Sequence, residues 1–198
     1  LVTGASKGIG FGVARGFAQA GADLHILATN DTVITAAKTL GRETGATVYG
    51  HVCDITDRAR VGAVMKEFGH IDVLINNAGL ERPTPILQAD EVVDETFHRI
   101  IDTNIMGGFH ITREALPHMD KGGKIVITSS IWGQTAVPEM SAYCASKHAN
   151  IGFMRALAQE LASGWFDSVS SAQNFSGANE RHEQAPPSCG GSLRLTSS

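Results

Sequence analysis

The sequence predicts an α/β fold: a doubly wound parallel sheet with helices on both faces. Three observations carry this expectation. From Leu1 to Ser163 short apolar runs alternate with longer segments of helical period. A glycine-rich turn sits between the first apolar run and the first helical segment. And 198 residues with 42% hydrophobic and 18% charged side chains suit one domain around one core, not two.

The elements follow in order. Leu1-Val2 forms the end of a first strand and enters the glycine loop at Gly4. Ile9 to Ala20 is a helix with Val13, Phe17 and Ala20 on one face, stopped by Gly21. Strand Asp23–Ala28, a helix from Thr32 to Thr44, strand Thr47–Val52, a helix from Asp57 to Phe68 and strand Ile71–Ile75 come next. Asp90 to Met119 is long and helical, with Pro117 near its end; strand Lys124–Thr128 and a helix from Ser141 to Ser163 complete five strands and five helical segments. After Ser163 the chain turns rich in Gly, Ser and Pro and loses apolar periodicity. Residues 164–198 therefore read as a low-complexity, disordered tail, with 1–163 as the folded domain. Trp165 and Phe166 read either as a helix-end anchor or as part of that tail.

Charge and composition exclude several classes. With 16 Lys+Arg against 20 Asp+Glu the formal charge is −4, which supplies no basic field for phosphate backbones, so no nucleic-acid partner is expected. No window has the apolar length of a membrane span. Cys53, Cys144 and Cys189 form no CxxC pair, and the histidines form no HxxxH or HxH pair; neither a disulfide framework nor a metal site is expected, and a reducing cytoplasm fits. The start at Leu1-Val2-Thr3 reads as a chain beginning inside a folded element.

The first chemical signal is Thr3-Gly4-Ala5-Ser6-Lys7-Gly8-Ile9-Gly10, between strand and helix. Gly4 permits the tight turn, Gly8 a close approach of ligand to backbone, and Gly10 close packing of helix on strand. The free N–H groups of the helix start, at Ile9 and Gly10, suit a pyrophosphate. The second is Asn76-Asn77-Ala78-Gly79 at the end of the fourth strand, where Ala78-Gly79 can lay bare backbone against a ligand at the carboxyl edge of the sheet. Asp54-Ile55 ends the third strand on the same edge; Asp54 either accepts from an adenine amino group or caps the helix near Asp57, and the sequence leaves both open.

The third signal is Ser130, Tyr143 thirteen positions on, and Lys147 four beyond that. Four residues make about one helical turn, so phenol and ammonium share a face. A neighbouring cation favours phenolate, and the expectation is a phenol drawn from its reference pKa near 10 towards neutrality. Ser130 can hydrogen-bond a carbonyl oxygen that Tyr143 protonates.

Taken together, TGASKGIG, CDIT, NNAG, the DTN before Ile105, the serine of SSIWG and YCASK resemble the short-chain dehydrogenase/reductase family, of 3-oxoacyl-ACP reductase-like type, from Thr3 to Ser163. The resemblance implies a Rossmann-like domain and NAD(P)-dependent interconversion of a ketone and a secondary alcohol. Asn104, Ser130, Tyr143 and Lys147 match the family's catalytic four. Tyr143 would be the acid in reduction and the base in oxidation, Ser130 would orient the carbonyl, and Lys147 would bind the nicotinamide ribose and tune Tyr143. Asn104 would kink the long helix and hold a water. A homodimer or homotetramer through the two long helices is also implied.

The end of the second strand reads Ala28-Thr29-Asn30, without the carboxylate that selects a free ribose 2′-OH, and Lys7 lies in the glycine loop; the reading leans to NADP(H) over NAD(H), with Asp31 as counterweight. After Ser163 the chain departs from the family. The sixth strand with its Pro-Gly turn, the substrate loop and the seventh strand are not recognisable, so the sheet is expected to be incomplete, about five strands, aberrant or truncated at its C-terminal end. A frameshift near Trp165 would explain the departure. Two other readings stand beside the enzyme: a nucleotide-binding fragment without turnover, and a partner-binding protein.

Overall fold

The computed structural model describes residues 1–88, 90–161 and the backbone of 166–174. Among these, β1 (Val2–Thr3), β2 (Leu24–Ala28), β3 (Val48–Val52), β4 (Val73–Asn76), β5 (Gly123–Ser130) and β6 (Phe166–Asn174) form one sheet in the order β3-β2-β1-β4-β5-β6. Every pairing is parallel. Parallel neighbours require crossovers, and α1 (Gly8–Gln19), α2 (Thr32–Thr44), α3 (Arg58–Met65), α4 (Glu91–Ile101), α5 (Gly108–Ala115) and α6 (Ser141–Leu161) supply them.

Successive strand residues feed opposite cores, as a sheet covered on both faces demands. Ile26 and Ile75 pack with Ala14 and Ala18 of α1 and Val33, Ala37 and Leu40 of α2. Their neighbours Leu27 and Leu74 pack with Val61, Val64 and Met65 of α3, Ile111 of α5 and Leu157 of α6. The doubly wound expectation therefore holds. α3 ends at Met65, short of Phe68, and β4 begins only at Val73; Phe68 and Ile71 are still buried, so the sequence reading took apolar packing in the connection for regular structure.

The strand count is corrected. Residues 166–174, expected to lie in an unstructured tail, pair with β5 from Gly123↔Phe166 to Ser130↔Asn174, with a register shift at Gly123/Lys124. β5 would otherwise present a row of unpaired backbone groups, and backbone pairing needs no apolar side chains. Ser168, Ser170, Ser171 and Gln173 left no hydrophobic alternation to read. The boundary at 163/164, Trp165, Pro186-Pro187, Cys189 and the rest of the expected tail lie outside the described residues.

The long helical segment is continuous but not uniform. Asp90 opens α4 by accepting the Val93 amide at 2.9 Å. A π-helical turn, Asp102–Gly107, then separates α4 from α5, and a 3₁₀ turn, Leu116–His118, holds Pro117. A π turn shifts the buried face by one residue. Here it turns Asn104 inward and seats Gly107 on Ile55, where a Cβ would come within 2.5 Å of the Ile55 side chain.

Candidate active site

Strand order reverses between β1 and β4, so the carboxyl ends of these neighbours open a crevice at the switch point of the sheet. Thr3 ties its two banks together. Its hydroxyl oxygen accepts the amides of Asn77 and Ala78, each at 3.0 Å, and Asn77 Nδ2 donates back to the Thr3 carbonyl at 3.0 Å. Gly4 has φ +66°, and a Cβ there would lie 2.7 Å from Ala78 Cα. Gly8 has φ +59° with nothing within 4 Å of a Cβ position, so its bare face is open.

The resulting cleft encloses about 560 Å³. Gly4, Ser6, Lys7, Gly8 and Thr29 line one bank; Asp54, Ile55, Asn77, Ala78 and Gly79 line the other. These are the sequence-predicted cofactor residues apart from Ile9, Gly10, Tyr143 and Lys147. Ile9 is 49% exposed in the first turn of α1, and Gly10 packs beneath the loop, its Cβ position 2.4 Å from the Gly4 carbonyl oxygen. Asp54 does not cap α3: its Oδ1 accepts the amide and hydroxyl of Thr56, while Asp57 accepts the Arg60 amide. Arg99, Asp102 and Thr103 also line the cleft, and the sequence reading missed them. Asp102 and Thr103 belong to the DTN before Ile105, of which only Asn104 was given a role, and Arg99 lies one turn earlier on α4, where nothing local marks it.

The residues present fit a dinucleotide: an open volume of the right order, two positive-φ glycines where backbone must meet ligand, and a helix start facing the cleft. A smaller hollow of about 100 Å³ around Leu1, Ala22 and His70, at the opposite edge of the sheet, does not.

At Gly79 the cleft reaches the other predicted group. A Cβ on Gly79 would come 3.3 Å from Asn104 Oδ1 and 3.6 Å from Lys147 Nζ, so glycine leaves a cradle that any side chain would fill. Lys147 donates to the Thr128 carbonyl at 3.0 Å, and its Nζ is 5.4 Å from the centre of the Tyr143 ring. Ser130 closes β5, its hydroxyl oxygen accepting the Trp132 amide at 3.3 Å. Asn104 donates to the Leu80 carbonyl and the Ser146 hydroxyl at 3.0 and 2.9 Å and accepts the Leu80 amide at 2.7 Å. All four side chains belong to buried residues. Cys144, the next residue after Tyr143, is buried as well.

The electrostatics correct one expectation. Burial pushes the Tyr143 phenol above its ordinary pKa, and the Ser130 side chain offsets this only in part. The expected shift towards neutrality is therefore not found; the same burial lowers the Lys147 pKa to about 8, with Glu81 pulling the other way. Helical spacing delivers proximity; it does not say how much water both groups lose.

The family model for short chain dehydrogenase matches residues 1–164. Oxidoreductase UcpA of Salmonella typhimurium is 42% identical over 174 residues, covering 82% of this chain and 63% of its own length. The 3-oxoacyl-(acyl-carrier-protein) reductase FabG of Chlamydia muridarum is 36% identical over 170 residues, covering 82% and 67%. Among solved structures, L-sorbose reductase from Gluconobacter frateurii, complexed with NADPH and L-sorbose, aligns with a TM-score of 0.74 at 29% identity, covering 81% of this chain and 63% of that one. The chain spans less than two thirds of the length of UcpA.

Proposed function

This chain belongs to the short-chain dehydrogenase family, and we propose on that premise that it is an NAD(P)-dependent oxidoreductase interconverting a small-molecule ketone and a secondary alcohol. One observation carries the reading: Ser130, Tyr143, Lys147 and Asn104 gather where the glycine-loop cleft ends at Gly79.

A nicotinamide dinucleotide supplies the hydride when bound; the chain supplies the proton and the geometry. Ser130 accepts the Trp132 amide on its oxygen and keeps its own proton to orient a carbonyl. Tyr143, held protonated by burial, gives a proton to that carbonyl oxygen, which suits reduction at neutral pH. Lys147, cationic below about pH 8, offers donors to ribose hydroxyls beside Gly79. Asn104 has both ends of its amide engaged, so it fixes the Leu80 backbone; the water expected of it is not needed for that work. Beyond Gly79 a hollow lined by Leu80, Glu81, Arg82, Pro83 and Met140 offers the substrate side.

Lys7 and Thr29 line the cleft and Asp31 does not, which supports NADP(H) over NAD(H). Assembly through the long helices is supported by Met106 and Phe109, 41% and 37% exposed; light scattering distinguishes dimer or tetramer from monomer. No described helix is long and apolar enough to cross a membrane.

Fluorescence titration with NADPH and NADH, followed by turnover on a ketone panel, tests the reading. Tighter binding of NADPH and turnover are expected. Equal or tighter NADH binding overturns the preference, binding without turnover overturns the activity, and binding of neither overturns the site.

A further inference from the structure

Thr84 lies on the segment between Gly79 and α4 and is 1% exposed, although nothing in its sequence context marks it. Its amide donates to the Glu139 carbonyl at 2.6 Å, and its backbone bridges to Met140 in parallel. Its hydroxyl oxygen accepts the Ala142 amide at 3.0 Å and lies 3.0 Å from the Ser141 hydroxyl, which donates to the Thr84 carbonyl at 2.8 Å. The first amides of any helix lack partners within it. Here α6 obtains a cap from a residue 58 positions earlier in the chain, one residue before Tyr143.

The contact also holds backbone strain. Glu139 has φ +65° without being glycine, a conformation that persists only where surroundings impose it. Thr84 is thus one corner of a closed frame. Asn104 grips Leu80; the chain runs from Leu80 to Thr84; Thr84 grips Ala142; α6 runs from Ala142 to Ser146; and the Ser146 hydroxyl accepts from Asn104 Nδ2 while donating to the Tyr143 carbonyl at 2.8 Å.

We propose that Thr84 is a positioning residue: its hydroxyl and backbone lock the first turn of α6 and so hold the Tyr143 phenol at Ser130, with Met140 against the substrate-side hollow. This rests on the reading of Tyr143 as proton donor. Thr84 itself does not line the dinucleotide cleft.

The test compares the full chain with Thr84→Val, which keeps shape and loses the hydroxyl, and Thr84→Ser, which restores it. Amide hydrogen exchange over residues 141–147 is expected to be about tenfold faster in Thr84→Val and at parent level in Thr84→Ser. The kcat for ketone reduction is expected to fall about tenfold in Thr84→Val, with NADPH Kd within twofold of the parent, and to recover in Thr84→Ser. Parent-like exchange in Thr84→Val overturns the proposal. So does a rise in NADPH Kd that matches the fall in kcat, which would make Thr84 a residue of the general fold. Exchange is read without turnover, so it stands apart from the Tyr143 reading, which fails on its own if Tyr143→Phe reduces ketones as fast as the parent.

Discussion

Asn104 holds the backbone of Leu80 from both sides, accepting its amide at 2.7 Å and donating to its carbonyl at 3.0 Å. Its carboxamide does both, the oxygen accepting and the nitrogen donating. Asn104→Asp keeps size and the acceptor but turns a second oxygen towards the Leu80 carbonyl and places a charge on a residue 4% exposed. A loss of about 1–3 kcal/mol is expected, the cost of unpaired buried polar groups. It would be read as a lower urea midpoint; a midpoint equal to the parent's would show that the grip on Leu80 is not structural.

The glycine loop gives a paired prediction. An Ala at Gly10 would put Cβ 2.4 Å from the Gly4 carbonyl oxygen and 2.5 Å from Asn77 Nδ2, so the loop must move. Gly10→Ala is expected to cost about 1–3 kcal/mol by overpacking and to abolish NADPH binding. Gly12 lies in the same helix with nothing within 4 Å of its Cβ position. Gly12→Ala is expected to stabilise by about 0.8–1 kcal/mol with binding unchanged. Thermal melts and NADPH titration of both variants check this, and equal effects at the two positions would dismiss the packing argument.

What the sequence made legible is what is local. The strand, glycine turn and helix start at Gly4–Gly10 are consecutive, and Tyr143 and Lys147 share a helix turn; their placement needed no long-range information. β6 was not legible, because an edge strand is held by backbone bonds to β5 and its residues carry no apolar alternation. Thr84 and Arg99 were hidden for a related reason: Thr84 caps a helix 58 residues on, and Arg99 lines a cleft whose other residues are brought near only by the crossovers. The tuning of Tyr143 was not legible either, because burial, a property of the whole fold, is its largest cause.

His25 on β2 and His51 on β3 meet at 2.9 Å between Nδ1 and Nε2, packed by Phe68 and stacked on Tyr49. Burial lowers the His25 pKa from 6.5 to about 4, with the His51 charge acting the same way, and His51 is lowered too. Both therefore bind a proton more readily unfolded than folded. Their contribution to stability is fully present above about pH 6.5 and is lost as pH falls towards 4. Glu67 and Asp23 oppose this for His25, while Glu67 opposes it and Arg60 reinforces it for His51. The urea midpoint is expected to drop between pH 7 and pH 5, and to drop less in His25→Gln; an unchanged pH slope in that variant would place the sensitivity elsewhere.

Lys147 sets the alkaline limit of the proposed reaction. Its ammonium, buried and donating to the Thr128 carbonyl, loses its proton near pH 8, whereas Tyr143 titrates above its ordinary value. An alkaline fall in kcat/KM for ketone reduction should therefore begin near pH 8 and report the lysine, not the phenol. Glu81 raises the lysine pKa, so Glu81→Gln is expected to move that limb to lower pH. Lys147→Arg keeps its charge throughout this range and should flatten the limb while lowering the rate, since the larger planar group cannot reproduce the contact with Thr128. NADPH affinity measured across the same range separates binding from the proton step. A limb that stays in place in both Glu81→Gln and Lys147→Arg would assign the alkaline limit to another group.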